Sequence, residues 1–259
     1  MIKLQFLFFI LMNCFYCEAQ EKVLPEELKP FVLPGYEMLD FTEGKLDADQ
    51  QEDAILILKL QQEDTITTDD PLRPFLLLTR QPNGKLKLTK RNDSLVMCRR
   101  CGGVFGDPYE NIEIKNNGFI ISFYGGSSWR WGYNYSFSYD KIKTNWFLVR
   151  EEQMHYHNTE PDLNIKEAVI EADELGIIPI EKFSSDFVYS GTEWKVISTK
   201  AYFYDSPKLG SKPRKGYLLK GDIATASRIL KNFIEVSFEN KKEVFTSGYI
   251  LKTSLQKVK

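Results

Sequence analysis

Histidine is almost missing from this 259-residue chain, which has two, His155 and His157. So few imidazoles leave little material for a Ser–His or Cys–His nucleophile pair. No HExxH, P-loop, GxGxxG or GxSxG motif occurs, and the nearest approach, Gly126-Ser127-Ser128, lacks the closing glycine. An excess of charge of one sign is missing too. With 34 Lys+Arg against 36 Asp+Glu the formal net charge is −2, which argues against a nucleic-acid binder. No apolar run approaches the ~20 residues of a membrane-spanning helix; the one at the start, residues 4–12, is short and broken by Gln5. Cysteine is scarce, with four in all.

What is present is globular composition, 42% hydrophobic and 27% charged, which excludes a wholly disordered, collagen-like or polytopic membrane chain. The 13 Tyr and 18 Phe favour β structure. Lys3, the apolar run behind it, and Cys17 and Ala19 at −3 and −1 of a cut before Gln20 read as a secretory signal peptide over residues 1–19. A membrane anchor is the alternative, and a lipoprotein cut at Cys14 or Cys17 a second one. Those cysteines follow Asn13 and Tyr16 rather than a small residue. Cleavage before Gln20 leaves Cys98 and Cys101, and in an oxidising compartment a local disulfide is expected of them. A redox dithiol and half of a zinc site are the other chemistries open to C-x-x-C. Arg99 and Arg100 favour thiolate, but Gly102-Gly103 directly after the motif works against the helix that a thioredoxin-type site needs. Zinc requires two more ligands, and His155 and His157 share one side of a strand if extended. Their bland alternative is exposure in a polar hairpin.

Charge divides the chain. Residues 194–259 hold 14 Lys/Arg against 5 Asp/Glu, while residues 20–193 hold 19 against 30. Such asymmetry predicts two domains, 20–193 and 194–259. The larger part reads as antiparallel β: residues 54–60 (AILILKL), 75–79, 85–89, 112–115, 119–124, 133–139 and 146–150 are strands punctuated by Gly/Asn/Asp turns. Residues 25–31 and 164–170 are the best helix candidates, and 172–189 an irregular bridge. In the smaller part the strands are 194–197, 200–204, 222–228, 233–238 and 245–250. Ile234, Val236 and Phe238 alternate in a way that can close a small barrel.

The smaller part, from about residue 196 to 258, resembles the bacterial SH3-like domain of many exported proteins. The residues that carry the likeness are Tyr202-Phe203-Tyr204, Pro207, Gly221-Asp222, Phe233, Val236 and Gly248-Tyr249-Ile250 followed by Leu255. The resemblance implies a small barrel that binds peptides or cell-wall glycopeptide, or acts as a spacer. In the larger part, residues 40–58 (DFTEGKLDADQQEDAILIL) are similar to the acidic loop and strand of FG-GAP or VCBS-type repeats. Asp47, Asp49 and Asp53 take acidic positions, Lys45 stands where the first Asp belongs and Gln50 replaces the turn glycine. Three nearby carboxylates can converge on Ca²⁺, whereas a solvated acidic turn needs no ion. CRRCGGVFGDP (98–108) and YGGSSWRWG (124–132) together resemble a family of exported bacterial proteins carrying CxxCGGxFGDP and then YGGSSWRW, over about residues 35–150. That resemblance implies export and no particular activity.

If extended, Trp129 and Trp131 share a face, so they can stack on a sugar ring or clamp a peptide while Arg130 reaches a carboxylate. The opposing reading is a Trp pair closing the core, with Gly125 and Gly126 letting strands approach. The expectation from all of this is a mainly β, exported, non-catalytic binding protein with no cofactor, no nucleic acid and no span after cleavage. Its partner is cell-wall material such as peptidoglycan or an envelope protein, met through the SH3-like part (Tyr202, Tyr204) or the Trp-rich loop (Trp129, Arg130, Trp131). Two rivals differ in class: a thiol-redox or glycan-hydrolysing envelope enzyme, and a structural or inhibitory envelope protein.

Overall fold

The computed structural model describes residues 22–258, apart from 50, 67–69, 160–164, 186–191 and 241–243. The signal-peptide assignment therefore lies outside the described residues. Among those described, no helix is long and apolar enough to cross a membrane. Strands account for 55% of the described residues and helix for 7%, so the fold is mainly β.

The first sheet is a meander of β1 (Tyr36–Gly44), β2 (Asp53–Leu60), β3 (Arg73–Arg80) and β4 (Leu86–Val96), in that order and antiparallel. The run AILILKL is apolar on both faces because both faces are covered. Ile55 and Ile57 enter the main core. Ala54, Leu56 and Leu58 enter a second cluster with Leu76, Leu78 and Leu28. Leu24, Phe31, Val32 and Leu33 close that second cluster. A continuous rather than alternating pattern is the mark of a strand buried on both sides. Residues 25–31, read as a helix candidate, make only a turn and the 3-10 segment Lys29–Phe31.

The second sheet runs β5 (Tyr109–Ile114), β6 (Gly118–Gly126), β7 (Trp129–Asp140), β8 (Asn145–His157) and β9 (Lys166–Glu171). Alternation is strict at its centre. Phe119, Ile121, Phe123, Tyr135 and Phe137 all enter the main core, and Phe119 stacks on its cross-strand partner Phe137 at 4.8 Å. Of the helix expected over 164–170, residue 164 lies outside the described residues and residues 166–170 are instead part of strand β9. Val169 and Ile170 are β-branched, and Ile170 pairs with Glu151 and is fully buried; β-branched residues fit a pleated, half-buried surface better than a helix. The one α-helix described is α1 (Ala172–Leu175), closed at its start by a Glu171–Glu174 capping box.

The remaining strands are β10 (Thr192–Val196), β11 (Lys200–Tyr202), β12 (Tyr217–Leu219), β13 (Ile223–Ile229), β14 (Phe233–Glu239), β15 (Phe245–Leu251) and β16 (Leu255–Lys257). They form an open sheet in the order β15-β14-β13-β10-β16 and a separate β11–β12 ribbon. No closed barrel results. The outer edge of β15 is taken at Tyr249 by Tyr204, through two backbone hydrogen bonds of 2.8 and 3.1 Å, not by β16. One face of this sheet has its own core of Trp194, Val196, Ala201, Phe203, Leu218, Ile234, Val236 and Ile250. Its other face turns toward the second sheet, and Leu230, Phe233 and Tyr249 join the main core there. The charge division at residue 194 thus follows the sheet boundary, but the hydrophobic core crosses it.

Candidate functional site

The second and third sheets meet and then diverge. Register defines the second-sheet wall in rows across β7, β8 and β9: Tyr135, Glu151 and Ile170; then Tyr133, Gln153 and Ala168; then Trp131, His155 and Lys166; then Trp129 and His157. Burial fades along these rows from the core to solvent, ending on Trp129 at 56% exposure. On the opposite wall β14 puts Ile234, Val236 and Phe238 into its own core. The alternating residues Glu235 and Ser237 therefore face the second sheet, paired with Tyr249 and Ser247 of β15. The result is a groove of about 530 Å³ with Trp129 and Phe245 at its rim and Lys166, Arg214 and His155 on its sides.

The floor is charged. Glu151 is fully buried and is bridged by the Arg228 guanidinium. Its other oxygen accepts a 2.6 Å hydrogen bond from Gln153 Nε2. Glu235 Oε2 lies 3.4 Å from Arg228 Nε, and Arg228 Nη2 donates to Tyr249 Oη at 3.4 Å. Burial opposes the charge on Arg228, but Glu151 and Glu235 outweigh it and hold the guanidinium above its ordinary range. Burial pushes the Glu235 carboxyl up, against the pull of Arg228. It also pushes the Tyr249 hydroxyl up to about 12 and Tyr133 higher still. His155 goes the other way, lowered by burial and then by Lys166, and shares a 3.2 Å hydrogen bond with Tyr133 Oη. Both causes favour the neutral imidazole over its charged form.

The residues singled out by sequence separate here. Trp129 and Trp131 do share a face, but Trp131 is packed against the main core over Gly125, where a Cβ would come within 2.5 Å of the indole. Trp129 alone is open, its ring edge against His157 at 5.0 Å. Arg130 points to the opposite face and lies over the Phe105 ring at 4.1 Å, so it takes no part in the groove. Tyr204 packs against the main core beside Phe233 at 5.3 Å. Tyr202, 37% exposed, sits on the ribbon with Tyr217 and is not among the residues lining the groove.

Cys98 and Cys101 lie at disulfide distance, with S–S 2.14 Å. The loop behind them packs directly on the Trp-rich hairpin. Gly126 N–H donates to Gly102 O and Val104 N–H to Gly126 O, at 2.9 and 3.1 Å. Gly103, at φ +68°, would place a Cβ 2.7 Å from Gly126 O. Asp107 at the end of this motif reaches inward to Arg73, whose side chain is fully buried. Arg73 bonds Glu63 and Asp107 each through two nitrogens, at 2.7–2.9 Å, and Met97 O at 3.2 Å. Both unusual motifs are therefore parts of one structural joint. His155 and His157 face the groove side of β8 and engage Tyr133 and Thr159, and they do not gather with Cys98 and Cys101.

Asp47, Asp49 and Asp53 do converge, with one oxygen of each within 4.8 Å of the others, and form the one such acidic or His/Cys group among the described residues. They sit at the β1–β2 turn. Asp53 is fully buried, its two oxygens accepting Leu46 N–H at 3.1 Å and Arg80 N–H at 2.8 Å. Burial raises the carboxyls of both Asp47 and Asp53. The backbone bonds show the structural reason for Asp53: it ties the turn to β3.

Sequence reasoning did not reach Gln153, Lys166, Arg214, Glu235, Ser247, Phe245 or Tyr249 as groove residues. The legible signal was the polar series Glu235, Ser237, Glu239 interleaved with an apolar one, which marks a β14 face that is not core. The fold and groove define a class only, a mainly β protein of several antiparallel sheets with an inter-sheet groove. Comparison with family models, with curated proteins and with solved structures finds no match for the chain.

Proposed function

We propose that this chain is an exported, non-catalytic binding protein that seats its ligand in the groove between the second and third sheets, and that the ligand comes from cell-wall material. The observation that carries this is Trp129. It is a large apolar side chain held more than half exposed at the mouth of a polar groove, with Phe245, 61% exposed, at the same rim. Aromatic rings beside hydroxyl and amide groups suit a ligand with both faces and polar edges, as sugars have. Ser227, Ser237, Ser247, Gln153 and the hydroxyls of Tyr133 and Tyr249 supply the polar part. The likeness of residues 196–258 to SH3-like domains of exported proteins supports the same reading.

Against the enzyme readings, the groove's acid–base candidates are already paired with neighbours in its wall and floor, Glu235 with Arg228 and His155 with Tyr133. The Cys98–Cys101 pair runs straight into glycines tied to Gly126, with no helix to lower a thiol pKa. The test is sedimentation of the mature chain with purified peptidoglycan and with the envelope fraction of its own cells, beside Trp129→Ala. Loss of an exposed aromatic anchor should weaken binding about tenfold, a difference of ~1.4 kcal/mol, without moving the melting temperature. Equal binding by the variant, or none by the parent, overturns the proposal.

A further inference from the structure

The same two sheets leave a second groove at the far end of the β7–β8 hairpin, where β7 ends at Asp140 and β8 begins. It is larger, about 840 Å³, and its chemistry is different. Phe147, Leu175, Ile177, Ile178, Ile229 and Leu230 make an apolar floor, of which Ile177 is 73% and Ile229 45% exposed. The floor is built by a strap. Leu148 N–H donates to Ile178 O at 3.0 Å, and Lys231 N–H, in the β13–β14 turn, to Glu174 O at 3.1 Å. Gly176 takes φ +83°, a left-handed turn that favours glycine, and a Cβ there would make only an ordinary 3.6 Å contact with Lys231 Cβ.

Three lysines, Lys143, Lys231 and Lys252, stand on the lining, against one carboxylate, Asp140, which Lys143 bridges at 3.2 Å. Lys143 also lies 4.8 Å above the Phe147 ring, so this cation lies directly over the apolar floor. An exposed apolar trough edged by cations complements a molecule with a hydrocarbon body and one anionic end. Burial of each methylene drives such a ligand in, and the lysines select the sign of its head.

We propose that this groove binds an anionic single-chain amphiphile, a long-chain carboxylate, with its tail along Phe147, Ile177 and Ile229 and its head at Lys231 and Lys252. The site is independent of the Trp129 groove. The experiment is calorimetry on the mature chain with n-alkyl carboxylates from octanoate to dodecanoate, kept below their aggregation concentrations. Each added CH₂ should tighten binding about fourfold until the trough is full, then stop. Lys231→Gln/Lys252→Gln should weaken dodecanoate about tenfold and leave dodecanol unchanged, and Ile177→Asp should weaken both, with unaltered melts for all variants. Trp129→Ala should bind as the parent does. The proposal is overturned by an absence of saturable heat, by equal affinity for dodecyltrimethylammonium, by affinity that climbs with chain length without one-site saturation, or by preference for an acidic apolar peptide.

Discussion

Arg73 shows how a single residue can organise two loops. Its five N–H groups are consumed by Glu63, Asp107 and Met97 O, and its side chain has no solvent exposure. Removing the cation leaves a buried Glu63 carboxylate unpaired, and breaking a pair of this kind costs about 3–5 kcal/mol. Arg73→Met is thus expected to lower the urea midpoint steeply, whereas Arg99→Met, whose ion pair with Asp64 is half-exposed, should cost less than about 1 kcal/mol of stability in the same assay. Glycine is constrained as sharply at one nearby position. Gly103→Ala meets Gly126 O at 2.7 Å and must hold φ +68°, so a loss of about 1–3 kcal/mol is expected in the same denaturation assay. The neighbouring cysteines predict a simpler readout: the intact mass of a chain of residues 20–259 should rise by two hydrogen atoms on reduction. Zinc released by acid together with two free thiols would contradict the pairing.

The β1–β2 turn is the element where charge and fold conflict. Three carboxylates meet there, and burial raises Asp47 and Asp53. A carboxyl raised in the folded state binds more protons there than when unfolded, so its contribution weakens as pH climbs from the unfolded value near 3.8 through the folded one, and is flat above. Asp47→Asn keeps the oxygen that accepts Asp49 N–H at 2.8 Å and removes one charge. It should leave the chain equally or more stable at pH 7 and reduce that downward slope, as read from melts across pH 3–7. Because both Asp53 oxygens already accept backbone N–H groups, melts with Ca²⁺ and with chelator should coincide. A shift of several degrees at sub-millimolar Ca²⁺ would mean the three do hold an ion, since ligand at ~100 times its Kd adds ~2.7 kcal/mol. At this scale the sequence was readable wherever period and turn chemistry agreed. AILILKL, residues 119–124 and 133–139 became β2, β6 and β7, and the acidic loop became a hairpin turn. It was unreadable at the three-residue strands β12 and β16, at β1, which was not read as a strand, and where partners supply the reason, as in β9. The groove was half legible. Trp129 stood out as an unusual residue, but Glu235 and Tyr249 acquire meaning only when β14 and β15 come to face β8 from more than seventy residues away.

For the whole molecule the open question is how firmly the two charge-defined parts are coupled. Residues 194–259 have a core of their own, which argues for independent folding. Yet Leu230, Phe233 and Tyr249 are buried against the second sheet, and cutting the chain would expose them. The Glu151–Arg228 bridge spans the junction and is buried on the Glu side altogether. Surface attraction between an acidic and a basic part is screened within ~8 Å at physiological salt, whereas this buried pair is not. The coupling should therefore survive high salt and depend on the pair. Glu151→Ala leaves Arg228 facing a buried void beside Glu235 and is expected to cost about 3–5 kcal/mol. Glu151→Leu/Arg228→Met, which removes both charges and keeps apolar bulk, should cost clearly less than the two single changes added together. Calorimetry distinguishes the possibilities. The parent chain should melt in one transition in 0.5 M as in 0.05 M salt, and Glu151→Ala should split or broaden it as the third sheet loosens first. A parent that melts in two separate steps, or a Glu151→Ala variant that melts as the parent does, would show that the shared core and its ion pair do not couple the two parts.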